Sequence, residues 1–291
     1  MSKKIVIPKS LEQIKNCVNL CDGFIVGFEN LSVNMPHYFS FEQIKEIETL
    51  CISNNIELFV SLNKNIHNEE LEFLKNTLIK LSKLKISGIM FYDIAIVNLT
   101  KDLNLNLNLI WNQEHLVTNY NTINYWCRNG VYGSYLSSEL TKEEILKIRN
   151  MTNCPLILNV FGYIPMFTSK RPLVLNYLSK FNLLDNSAIN YLEKENNIYP
   201  IVSDNVTTVY SSKILNLSLE LFELSESGID YFVFNSFNIS DTVFYEIMNL
   251  FNELSMENKR DIFNKINMLL NYEIDTGFLY KNTVYKVKKN G

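Results

Sequence analysis

Short apolar runs of strand length alternate with amphipathic helical stretches along nearly the whole chain, and this alternation restricts the fold more than any other feature of the sequence. Runs bounded by turn residues read as strands near Lys4–Pro8, Gly23–Glu29, Ile56–Leu62, Gly88–Asp93, Leu107–Gln113, Val131–Ser137, Pro155–Phe161 and Ile229–Asn235. Between them, Ser10-Leu-Glu-Gln13, Ser40-Phe-Glu-Gln43 and Thr141-Lys-Glu-Glu144 carry the capping-box pattern that starts helices. Leu11, Ile14, Cys17, Val18 and Cys21 then share one helical face, as do Ile44, Ile47 and Cys51. Strand–helix alternation of this kind builds a parallel sheet with helices packed on it.

Eight such strands predict an α/β fold of the TIM-like (β/α)8 barrel type. The open alternative, a doubly wound sheet with a nucleotide site, lacks its signature: no Gly-x-Gly-x-x-Gly and no Walker loop occurs among nine glycines. The long gap before the eighth strand marks an insertion over residues 163–224, expected in a loop at the catalytic face. Within it, the alternating stretch Tyr191–Val202 suits a hairpin or short strands. The barrel domain spans 1–255. Residues 256–291 form a C-terminal helix and a short β cap, with a turn at Asp275-Thr-Gly277 and a strand after it.

Composition matters here for what it removes. With 47% hydrophobic residues, 20% charged residues and a net charge of −4, the 291-residue chain is globular and unsuited to coating nucleic acid in general. Apolar runs are too short to span a membrane and the N-terminus lacks a signal peptide, so a cytoplasmic location is expected. Five cysteines, an odd number without framework spacing, read as reduced thiols. The three histidines stand far apart in sequence, so no metal site is expected.

Barrel enzymes place their chemistry where strands end. There the chain offers Glu29 and Asn30, Asn63, Asp93, then Asn112, Gln113, Glu114 and His115, then Ser137, Ser138 and Glu139, and finally Asn159 and Asn235. Glu114 and Glu139 on neighbouring strand ends form a candidate carboxylate pair for acid/base work. Glu139 also directly precedes a helix start, where an acid meets the helix dipole favourably. Asn112, His115, Asn159 and Asn235 are candidate substrate contacts. The segment Phe161–Pro172 leaves the seventh strand with a glycine and two prolines, and ends in adjacent cations. Ser169, Lys170 and Arg171 there are candidate binders of a carboxylate or phosphate. Arginine is scarce, with four in all, which draws attention to Arg171.

The runs Asn129-Gly130-Val131, Leu136-Ser137-Ser138-Glu139-Leu140 and Glu144-Ile145, followed by Ser169-Lys170-Arg171-Pro172-Leu173-Val174-Leu175, resemble the two signatures of the peptidase U32 family in order and separation. The resemblance spans roughly residues 1–250 and is carried chiefly by 129–177. It implies a barrel-like fold and two kinds of activity: proteases, and proteins of tRNA, ribosomal RNA or ubiquinone-precursor hydroxylation, several of them holding a four-iron four-sulfur cluster. The positions matching two cluster cysteines are Pro165 and Pro172, and no cysteine follows Cys154, so the chain is expected to use no cluster and no other cofactor. Ser138 replaces the family arginine, while Glu139, Ser169 and Arg171 remain. The leading expectation is a hydrolase acting on a peptide or small anionic ligand, with Glu139 as acid/base and Arg171 gripping a carboxylate. The alternative is a cluster-free accessory or RNA-modification protein, which brings tRNA or rRNA and a partner subunit into the set of partners.

Overall fold

A computed structural model describes residues 2–184, 187–204, 206–270 and 273–281. Eight strands, Lys3–Ile7, Gly23–Phe28, Glu57–Leu62, Gly88–Phe91, Leu109–Trp111, Gly133–Tyr135, Leu156–Gly162 and Tyr231–Asn235, run parallel to their neighbours. The eighth pairs with the seventh (Tyr231 opposite Ile157) and with the first (Lys3 opposite Tyr231, Ile7 opposite Asn235), which closes a TIM-like (β/α)8 barrel.

Strands buried on both faces must be apolar at consecutive positions, and this explains runs such as Phe24-Ile25-Val26. Ile5, Ile25, Phe59, Met90, Ile157 and Val233 belong to one apolar cluster filling the barrel. Their neighbours along the strands, including Val6, Phe24, Val26, Val60 and Phe234, pack outward with the helices in a second cluster. Helix starts follow the sequence closely. Ser40 with Gln43 and Thr141 with Glu144 form reciprocal capping boxes. At Ser10 the hydroxyl accepts from the Gln13 N–H, but the Gln13 side chain has a different task. It is fully buried, accepts from the Ser236 hydroxyl (2.8 Å) and donates to Asp241 (2.9 Å), tying the first helix to the end of the eighth strand.

The fifth and sixth strands are three residues each, shorter than the apolar runs suggested. Beyond Trp111 the backbone turns away, and Glu114 takes a left-handed φ of 43°. The insertion forms its own four-stranded antiparallel sheet, with Pro165–Ser169, Thr207–Tyr210, Asn197–Ser203 and Asn190–Lys194 as successive neighbours. The last two make the hairpin anticipated over Tyr191–Val202. Its turn residues Glu195 and Asn196 both have positive φ (51° and 63°), the twist that suits a two-residue connection. Ile214–Asn216 then returns antiparallel to the end of the seventh strand, and Ile274–Asp275 pairs with it, carrying the C-terminal segment to the barrel mouth. The strand expected after the Asp275–Gly277 turn falls mostly on residues 282–291, which lie outside the described residues.

One sequence expectation changes, and one arginine takes a structural role. Cys127, near the end of helix Tyr120–Arg128, and Cys154, just before the seventh strand, are joined as a disulfide with Cα atoms 6.5 Å apart, so only Cys17, Cys21 and Cys51 are free. Arg149, rather than Arg171, is the arginine drawn into the fold. Its guanidinium donates to the carbonyls of Thr152, Cys154 and Gly228 and pairs with Asp230 at 3.1 Å, binding the starts of the seventh and eighth strands together. Arg149→Met leaves those acceptors unmatched and is expected to destabilise the fold by about 3 kcal/mol in urea unfolding, on the scale of charge-assisted bonds. A loss under about 0.5 kcal/mol, the range of a neutral surface change, contradicts this role.

Candidate functional site

The carboxyl ends of the barrel strands open into a cavity of about 490 Å3. Its floor is apolar, with Ile7, Ile25 and Met90 from the first, second and fourth strands. Its sides are polar, and the insertion and C-terminal segment complete the wall with Met166, Tyr199, Lys213 and Phe278. Strand ends converge there because the sheet closes on itself, so residues distant in sequence become neighbours.

Six of the nine residues singled out from sequence line this cavity: Asn112, Glu114, His115, Glu139, Asn159 and Asn235. The His115 Nδ1 lies 3.1 Å from a Glu139 carboxylate oxygen, with both side chains about half exposed. A carboxylate that orients an imidazole makes a unit able to take or give a proton. Glu114 accepts from the Asn34 amide at 2.8 Å. Asn34 is itself fixed, because its carbonyl accepts from the hydroxyls of Thr168 (2.9 Å) and Thr208 (2.8 Å) on the insertion sheet. Both Asn34 and Glu114 hold positive φ (60° and 43°), a conformation non-glycine residues keep when their surroundings over-determine it. Tyr135 donates to Asn159 at 2.6 Å, and Asn159 donates to Ser138 at 3.0 Å. Burial pushes the Tyr135 phenol far above its usual range, so it stays a protonated donor.

Ser169, Lys170 and Arg171 are not among the cavity's lining residues. Pro165 and Met166 touch it, and Thr168 reaches it only through its bond to Asn34, whereas Ser169 at the end of the strand Pro165–Ser169 is outside the lining. There the Ser169 hydroxyl accepts from the Arg171 N–H, the Arg171 carbonyl accepts from Thr207, and Lys170 touches His67. Asp93, another strand-end acid, caps helix Ile94–Asp102 and also accepts from the Ile66 N–H, so its role is structural. Asn34, Ser61 and Tyr135 were not singled out. Asn34 follows the second strand within a polar stretch, and only its contact with the distant insertion reveals it.

The thiolates for an iron–sulfur cluster do not converge. Cys17, Cys21 and Cys51 are buried under the first helices, where burial pushes the Cys17 and Cys51 thiols up to about 12, and Cys127 pairs with Cys154. Pro165 lies on the cavity wall and Pro172 beyond it. The residues present do not fit the group. Among the described residues no set of three or more His, Cys, Asp or Glu side chains is placed to hold a metal ion. Among them, too, no helix is long and apolar enough to cross a membrane.

The family model for peptidase family U32 matches residues 9–289. The chain is 29% identical to tRNA hydroxylation protein P2 of Bacillus subtilis (strain 168), an alignment covering 97% of this chain and 98% of that protein. It is 19% identical to tRNA hydroxylation protein P1 of the same organism, over 76% of this chain but only 55% of that longer protein. Among solved structures, the U32 peptidase Mk0906 superposes with a TM-score of 0.54 at 15% identity, covering 80% of this chain and 92% of that one.

Proposed function

Since this chain belongs to peptidase family U32, we propose that it is the P2-type component of a tRNA hydroxylation system, holding one nucleotide of the RNA in the barrel-mouth cavity. The observation that carries this reading is the cavity itself: an apolar floor under amide side chains, with about 490 Å3 of room for one base, in a chain matched over 97% of its length by a protein of that name. An unpaired base turned out of its stack presents a flat apolar face and a polar edge, which suits such a lining.

Within this reading, Glu139 and His115 exchange a proton with the held base, and Glu114 faces it from the adjoining strand end. Lys170 and Arg171, outside the cavity but beside it on the insertion, contact flanking phosphates, which position the RNA without reading its sequence. The names P1 and P2 support a second U32 chain as partner. Deleting the gene is expected to remove one hydroxylated nucleoside from total tRNA, read by mass spectrometry of digested nucleosides, and a plasmid copy restores it. An unchanged nucleoside profile would sink this reading.

A second reading is peptide hydrolysis, favoured by the His115–Glu139 pair at 3.1 Å, which is equally able to activate water. Cleavage of a quenched peptide library by the purified chain, lost in Glu139→Gln, would move that reading to first place.

A further inference from the structure

We propose that Asn112 and Ser61 form the subsite that reads the polar edge of a nucleobase on the cavity floor. The proposal rests on the reading that the cavity holds a nucleotide, and it names the groups that choose which one.

Six asparagines line the cavity, and five of them use their amides within the protein. Asn34 joins Glu114 to two threonines, Asn63 bonds in both directions with the Val33 backbone, and Asn159 bridges Tyr135 and Ser138. Asn197 and Asn235 bond to nearby backbone. Asn112 differs. Its backbone N–H is fixed on the Phe91 carbonyl at 2.9 Å, yet its side-chain amide has no hydrogen bond among the described residues, although only 9% of the residue is exposed. Ser61 is 1% exposed and its hydroxyl is a buried polar atom without a partner, while its carbonyl is taken by Ser32. Buried polar groups are nearly always matched, so the buried hydroxyl of Ser61 and the free amide of Asn112, lining a single cavity, point to a ligand that matches them.

Strand register puts the two on the same inward face, with the fourth strand between them. Ser61 lies opposite Met90, and Met90 lies opposite Ile110. Asn112 is two residues beyond Ile110, so it points to the same inward face, nearer the mouth. The pair therefore flanks Met90, with the hydroxyl level with it on one side and the amide nearer the mouth on the other.

The chemistry of the ligand follows from what these groups supply. Asparagine presents a donor and an acceptor side by side, and serine adds one of either kind. Apolar Ile7, Ile25 and Met90 adjoin them. A flat ring with an adjacent donor and acceptor on its edge, as every nucleobase has, satisfies both features. A phosphate at this depth would find no cation on the floor: the cavity holds three carboxylates, Glu114, Glu139 and Asp275, and its two lysines, Lys213 and Lys281, are paired with Glu273 and Asp275.

The test uses Asn112→Ala, Ser61→Ala and their double variant in the full chain, with UMP, CMP, AMP and GMP as separate probes in calorimetric titrations. The parent protein is expected to bind one of the four better than the rest, and each single substitution to weaken that binding about tenfold, the value of one lost hydrogen bond. Thermal unfolding of both variants is expected at or above the parent temperature, because neither side chain bonds within the fold, whereas Asn63→Ala unfolds earlier. Four monophosphates bound alike by parent and double variant, or none bound by the parent, would overturn the subsite. The same variants are returned to the deletion strain. Full restoration of the tRNA nucleoside by the double variant refutes the subsite and leaves the tRNA role standing. A deletion without effect on tRNA refutes that role, and the titrations alone then judge the subsite.

Discussion

Glu139→Gln, returned to a deletion strain, is expected to leave the hydroxylated nucleoside at background while the protein folds normally. Glutamine keeps the size of the side chain and an oxygen within reach of His115 Nδ1, 3.1 Å away in the parent. It removes the negative charge that orients the imidazole. Positioned acid/base groups contribute about 10²- to 10⁴-fold, so the loss should reach at least two orders of magnitude in any rate assay. Side chains this exposed change stability by about 0.5 kcal/mol or less, so an unfolding curve separates lost chemistry from lost structure. His115→Asn should reproduce the defect, because the two act as one unit. Complementation to the parent level by either variant would remove the pair from the mechanism of the RNA reading.

The second large effect is structural. Gly162→Ala is expected to destabilise the chain by about 3–5 kcal/mol, adding the cost of a strained φ to that of forced overpacking. Gly162 ends the seventh strand at φ 110°, a region L side chains rarely adopt. A Cβ there would sit 2.3 Å from the Asn235 carbonyl oxygen and 2.8 Å from its Cβ, and both atoms belong to the last residue of the eighth strand. Neither is the free end of a flexible side chain, so the two strands must separate at the mouth. Asn235 lines the cavity and closes its own turn by accepting from the Phe237 N–H at 3.0 Å, so the site should loosen with the fold. Gly130→Ala is the matched control. It has a similar φ of 90° but nothing within 4 Å, and should cost only about 1 kcal/mol. Urea unfolding of the two variants measures the difference, and equal losses would show that the close approach at Asn235 is not the cause.

Much of the site was legible because strand ends in a closed barrel converge whatever their distance along the chain. Placing Asn112, Glu114, His115, Glu139, Asn159 and Asn235 at strand ends was therefore enough to bring them to one cavity. The same logic misled for Asp93, since a strand-end acid serves equally well as a helix cap. Ser169, Lys170 and Arg171 fall outside the cavity lining because their segment pairs into the separate insertion sheet. Asn34 and Ser61 were passed over because a polar residue in a loop or strand looks ordinary until its partners, or their absence, are known.

Local patterns by themselves determined the repeating strand–helix order, the helix caps and the two-sided burial of the strands, because each depends on neighbours within a few residues. From these the barrel follows. Only the tertiary structure decided which of the cavity's asparagines bond within the described residues and that Asn112 does not, that Cys127 meets Cys154, and that Arg149 is anchored. Those outcomes depend on groups far apart in sequence that approach only when strands, helices and the insertion pack against one another. No periodicity in the chain records such distances.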